Sequence, residues 1–193
     1  NIYFFLNHPN LDSSLDIFNF PPNEKFCKDK LQNIYPFAFF SKNKEWKYIS
    51  LDKIKKNESC IIKKSDLPKE YQDESVFLSF SLRPNDFNKS LENSNYMNSS
   101  PQWRANTKIF NRFTSASYQG EYPGSIISKN ISLVSCSPMI QSKFDTYFYL
   151  INLTNNPEKK RFDLNIMNTN LENIETVECF TNTINFFDLN SFN

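Results

Sequence analysis

Val76-Phe77-Leu78-Ser79-Phe80-Ser81-Leu82 is the stretch on which the fold reading turns. Its apolar residues alternate for part of its length, and it stops at the polar, proline-containing Arg83-Pro84-Asn85-Asp86. Alternation with a period of two puts successive side chains on opposite faces of a strand. The same kind of run recurs on both sides. Upstream lie Ile2 to Leu6, closed by Asn7-His8-Pro9-Asn10, then Tyr35 to Phe40, Trp46 to Leu51 and Ser59 to Lys63. Downstream lie Ser125 to Val134, Thr146 to Leu153, Arg161 to Met167, Thr176 to Phe180 and Thr183 to Leu189. Short β-branched and aromatic runs punctuated by Asn, Asp, Ser and Pro predict an all-β fold, an antiparallel sandwich of jelly-roll type.

Helical signals are weak. Ser13 to Phe18 has the length for one turn, Ser65 to Tyr71 reads as a short capped helix with Pro68 in its first turn, and Asp86 to Asn95 is a third candidate. No segment keeps a 3.6-residue period over three turns. The chain has 2 glycines and, by count, 27 asparagines. Its turns must therefore form almost without glycine. Asn and Asp tolerate left-handed geometry, so asparagine takes over that structural role.

A faint internal likeness links Tyr3-Phe4-Phe5-Leu6-Asn7 to Tyr147-Phe148-Tyr149-Leu150-Ile151-Asn152, each ahead of a proline-containing turn. A similar rhythm links Ile49 to Leu67 with Val177 to Leu189. Duplication would give two related β lobes around a distinct middle; generic strand patterning gives the same likeness.

The 193 residues carry 22 basic and 21 acidic side chains, a net charge of +1. That balance gives no overall attraction to nucleic acid or to an anionic membrane. With 20 Phe, 9 Tyr and 2 Trp the chain is too aromatic to be disordered. No apolar run approaches the ~20 residues of a spanning helix. One histidine rules out a multi-histidine metal site, and two glycines rule out every glycine-rich phosphate loop. Cys27, Cys60, Cys136 and Cys179 are too widely spaced for a redox or zinc motif and read as buried reduced thiols or, in an exported protein, as disulfide partners. The five Asn-x-Ser/Thr sites, at Asn57, Asn88, Asn98, Asn130 and Asn152, are close to the number this composition gives by chance. The first residues hold no charged lead into an apolar segment, and the sequence assigns no compartment.

The even total hides a charge division. Residues 1–92 form a near-neutral β-rich part, residues 93–143 a basic middle with Glu121 as its one acid, and residues 144–193 an acidic β-rich part. One compact domain is expected to hold all three. In the middle, Arg104, Lys108 and Arg112 recur every fourth residue. In a strand that spacing projects all three from one face, leaving Trp103, Ala105, Thr107, Ile109, Asn111 and Phe113 on the other. Arginine offers a planar fork for carboxylate or phosphate. Next comes Ser117-Tyr118-Gln119-Gly120-Glu121-Tyr122-Pro123-Gly124, which holds both glycines. Tyrosine rings beside amide and carboxylate groups suit a sugar: stacking plus directional hydrogen bonds. Were strand and loop adjacent, Trp103, Arg104, Lys108, Arg112, Tyr118, Gln119, Glu121 and Tyr122 would line one pocket.

Catalysis finds little support. His8 is the only base open to a Ser-His-Asp or Cys-His arrangement, and it lies in a polar turn. Glu121 has no evident partner for two-carboxylate glycoside hydrolysis. No cofactor and no metal is expected. The leading expectation is a non-catalytic binding or structural module that takes a carbohydrate or another anionic small molecule on the basic middle. Self-association through aromatic strands is one alternative, and a carbohydrate-active enzyme using Glu121 another. Stacking of single-stranded nucleic acid on Trp103, Phe110, Phe113 and Tyr118 is opposed by the acidic C-terminal part.

Overall fold

A computed structural model describes residues 2–6, 8, 10–19, 33–81, 104–118, 145–154, 156–168 and 170–192, with backbone alone at 104 and 118. These residues form antiparallel β-structure with one short α-helix. The chain divides into two units, residues 1–40 with 46–128 and residues 41–45 with 129–193.

The first unit holds two four-stranded sheets. One orders β1 (Ile2–Phe4), β6 (Phe77–Ser81), β3 (Tyr35–Lys42) and β4 (Glu45–Ser50). The other orders β5 (Ser59–Lys63), β2 (Asp12–Phe18), β7 (Arg104–Phe110) and β8 (Ser115–Tyr118). One buried cluster takes Tyr3, Ala38, Phe40, Leu78 and Phe80 from the first sheet and Leu15, Ile17 and Ala105 from the second. A shared core of this kind is what a two-sheet sandwich requires. Within it Tyr3 meets Phe80 edge-on at 5.6 Å.

Register explains which residues turn inward. Tyr3 and Ala38 both face Leu78 across β6, so all three stand on the core side. Phe4 and Phe39 both face Phe77 and stand on the reverse side, where Phe39 also meets Trp46 at 5.3 Å. That reverse side is buried too at Ile2, Phe37, Phe39 and Phe77. The aromatic run of β3 is therefore continuous rather than alternating, as in strands buried on both faces. Burying each such side chain contributes about 1.5–3 kcal/mol.

Asn43 and Lys44 join β3 to β4 with φ of 53° and 62°. Two consecutive left-handed residues make the turn whose twist matches a hairpin. Of the five left-handed non-glycine residues described, Asn43, Asn57 and Asn182 are asparagines, the role expected of that residue here.

Residues 12–18 correct the sequence reading. They form β2 and not a helical turn, because Ser13, Leu15 and Ile17 alternate toward the core. The helix expected over Ser65–Tyr71 splits into a 3-10 turn at Lys64–Asp66 and α1 at Lys69–Gln72. Pro68 sits at the N-cap, where its missing N–H costs nothing. α1 buries Tyr71 against Phe40 at 4.8 Å. The segments 86–95 and 125–134 lie outside the described residues. No described helix is long and apolar enough to cross a membrane.

The second unit holds two ladders, β9 (Tyr147–Ile151) with β12 (Ile184–Asp188) and β10 (Arg161–Met167) with β11 (Asn173–Phe180). Phe148 faces Phe187 across the first, with rings stacked at 6.3 Å. Buried Asn185 accepts the Phe180 N–H and donates to the Leu150 carbonyl at 3.1 Å. The pairing differs from that of the first unit: β1 borders a four-stranded sheet, whereas the similar-looking β9 pairs only with β12 among the described strands.

Candidate ligand-binding face

The outward side of the β5-β2-β7-β8 sheet is set by register. Leu15, Ile17, Ala105 and Thr107 are buried on the inner side, so their immediate neighbours stand on the reverse side, where Ser14 is itself buried beneath its row. Across the strands the outward positions form rows. One row is Ser59, Phe18 and Arg104; the next is Ile61, Asp16 and Asn106. A third is Lys63, Ser14, Lys108 and Ser117, and a fourth is Asp12, Phe110 and Ser115. Phe18 is 38% exposed and Ile61 is exposed beside it. The Lys108 ammonium lies 5.7 Å from the Phe110 ring centroid, a cation–π contact. Asp16 accepts the Ser14 hydroxyl at 3.3 Å. The face thus carries two phenylalanines at its ends and amide, carboxylate and ammonium groups between.

Of the residues expected to form one pocket, this face holds Lys108 and the backbone position of Arg104. Arg112 falls elsewhere. The strand ends at Phe110, and Asn111 closes a turn by accepting the N–H groups of Phe113 and Thr114 at 2.8 and 3.0 Å. Arg112 therefore does not continue the strand face; its guanidinium stacks 4.2 Å from the Phe113 ring. Phe113 is 79% exposed and Asn111 is exposed, so neither joins the core expected on the opposite face. Tyr118 ends β8 opposite Thr107. Trp103, Gln119, Glu121 and Tyr122 lie outside the described residues, and with them the enzyme alternative built on Glu121.

A cleft of about 270 Å³ opens between β5, the 51–58 connection and the turn after β5. Leu51, Ile54, Cys60, Ile62 and Leu67 line it with Asp52, Glu58 and Asp66. Its carboxylates are largely spent locally. Asp66 accepts the Lys63 N–H at 3.2 Å, and Glu58 accepts the Lys55 N–H at 3.0 Å and pairs with the Lys55 ammonium. The backbone bond from Lys55 and its charge hold Glu58 below the usual carboxylate range. Burial and the charge of Asp52 push the Cys60 thiol up, which disfavours the nucleophilic thiolate. At this size the cleft falls just below the range of small-molecule sites, ~300–1,000 Å³. The sequence signal for it, a lysine-rich segment threaded with Ile and Leu, reads as a solvated face.

His8 accepts the Asn10 N–H on Nδ1 within a local turn. Cys60 and Cys179 are free thiols. Among the described residues no cluster of three His, Cys, Asp or Glu side chains is placed to hold a metal. Lys64 is depressed by burial, and its ammonium donates to the Glu74 carbonyl at 2.8 Å, a structural use.

Comparison with family models, curated proteins and solved structures gives no match to this chain.

Proposed function

We propose that the chain is a non-catalytic binding module whose outer β5-β2-β7-β8 face takes an extended oligosaccharide bearing carboxylate groups. One observation carries the reading. Lys63 and Lys108 share a register row between the outward Phe18 and Phe110. Phe18 faces Arg104 and Phe110 faces Asp12, six steps along the same strand pair. At ~3.4 Å per residue that is roughly 20 Å, room for several sugar rings end to end. Ring faces of a sugar stack on the terminal phenylalanines. Hydroxyls bond to Asn106 and Asp16, and carboxylates meet the two ammonium groups.

Calorimetric titration with an oligogalacturonate and with its neutral counterpart tests this. The acidic chain is expected to bind, with affinity falling as salt rises. Lys108→Ala and Phe18→Ala are each expected to weaken it roughly tenfold, or about 1.4 kcal/mol. Equal binding of both oligosaccharides, or binding unchanged in the two variants, would overturn the reading.

A further inference from the structure

We propose that the cleft beside β5 binds a short alkylammonium, its hydrocarbon chain against the core and its ammonium on the carboxylate rim of Asp52 and Asp66. The cleft opens where the chain crosses from one sheet of the first unit to the other, over residues 51–58 between β4 and β5. Its floor is apolar and belongs to the core. Ile54 and Leu67 are each 3% exposed, and Leu51, Cys60 and Ile62 pack against the same cluster. Cys60 and Ile62 face Ile17 and Leu15 across the ladder, so β5 turns them inward, while Lys63 stands on the outward side.

The crossing is pinned from outside the cleft. Ile34 and Ile54 exchange both backbone hydrogen bonds at 2.9 Å, and the Leu51 N–H donates to the Pro36 carbonyl at 2.9 Å. The buried Asn19 side chain donates to the carbonyls of Ile54 and Lys55 at 3.2 and 3.0 Å. The Asn19 N–H donates to the Glu58 carbonyl, and its own carbonyl accepts the Asn57 N–H, both at 2.9 Å. A site fixed in this way has little order left to impose when a ligand enters, which favours binding.

The rim sets the charge of the ligand. The lining residues carry Asp52, Glu58 and Asp66 against Lys53. Glu58 is compensated: it pairs with the Lys55 ammonium at 3.4 Å and lies within reach of the Lys53 charge. Asp66 accepts the backbone N–H of Lys63, which leaves its charge without a cation. Neither Asp52 nor Asp66 is in an ion pair among the described residues. Asp52 stands close enough to Cys60 for its charge to raise the thiol, so a carboxylate overlooks the apolar floor. This rim repels an anion, and a neutral alkyl chain leaves both carboxylates without a counter-charge. A cation on a hydrocarbon stem meets floor and rim together, as a lysine side chain does on a protein surface. The volume of about 270 Å³ lies below the ~300–1,000 Å³ of drug-sized sites, so the stem is short.

The test titrates the full chain, at constant ionic strength, with n-butylammonium, n-butanol and butanoate, three ligands of one chain length. It follows the side-chain methyl resonances of Ile54, Ile62 and Leu67. Butylammonium is expected to shift them saturably, with a dissociation constant on the order of 1 mM. Asp52 and Asp66 are exposed, and asparagine keeps the oxygen that accepts the Lys63 N–H. The double variant Asp52→Asn with Asp66→Asn is therefore expected to hold its thermal midpoint while binding butylammonium roughly tenfold more weakly. Lys53→Gln, which removes the lysine from the lining, is expected to strengthen binding. Shifts without saturation, equal binding of butanol, preferred binding of butanoate, or unchanged affinity in the double variant would overturn the proposal.

Discussion

The side-chain oxygen of Asn182 accepts the backbone N–H of Thr154 at 2.8 Å, across 28 positions of sequence. The same side chain donates to the carbonyls of Asn156 and Glu158 at 2.6 and 3.1 Å, and its backbone N–H donates to Asn152. Asn182 is fully buried with φ at 56°. It thus fixes the 152–158 segment while occupying an angle that alanine would resist.

Asn182→Gly keeps that angle and loses the three side-chain hydrogen bonds to the backbone, a cost of about 3 kcal/mol at about 1 kcal/mol each. Asn182→Ala loses the bonds and adds about 1–2 kcal/mol of left-handed strain. Urea denaturation followed by circular dichroism ranks the two. Equal stability of both variants would show that the backbone angle is not set as described.

Thr107 is buried in the β7 core face, and its hydroxyl has no hydrogen-bond partner among the described residues. Thr107→Val removes a desolvated hydroxyl at nearly constant volume and is expected to stabilise the fold by about 1 kcal/mol. A lower urea midpoint in the variant would mean that the hydroxyl is satisfied.

Burial, helped by the charge of Glu70, pushes the Tyr71 phenol up to about 12 from its ordinary 10.0. The unfolded chain therefore loses this proton first. The associated stability is intact below pH 10 and falls as pH rises from 10 toward 12. Tyr71→Phe removes that component, so the variant is expected to lose less stability than the parent over this window. Parallel decline of the two chains would refute the assignment.

Most strands were legible in the sequence because apolar runs and polar punctuation coincide, as at Arg161–Met167 and Phe77–Ser81. Asp12–Phe18 was not, because Ser13 takes a core-facing position and masks the alternation that Leu15 and Ile17 continue. The four-residue spacing of Arg104 and Lys108 matched the strand period, but it gave no warning that the Asn111 side chain would turn the chain before Arg112. A structural role for asparagine was readable from the scarcity of glycine. Which asparagines fill it was not, since the partners of Asn182 lie 24 to 28 positions away. The outward neighbours of Lys108 were equally hidden: Lys63 and Ser14 reach it only through strand pairing.

Amide chemical-shift mapping during titration with an oligogalacturonate tests the binding-face account most directly. Shifts running along the outer face, through Phe18, Asp16, Asn106, Lys108 and Ser117, are the predicted result. Shifts confined to the cleft lined by Leu51 to Leu67, or no shifts at a saturating concentration, would contradict it.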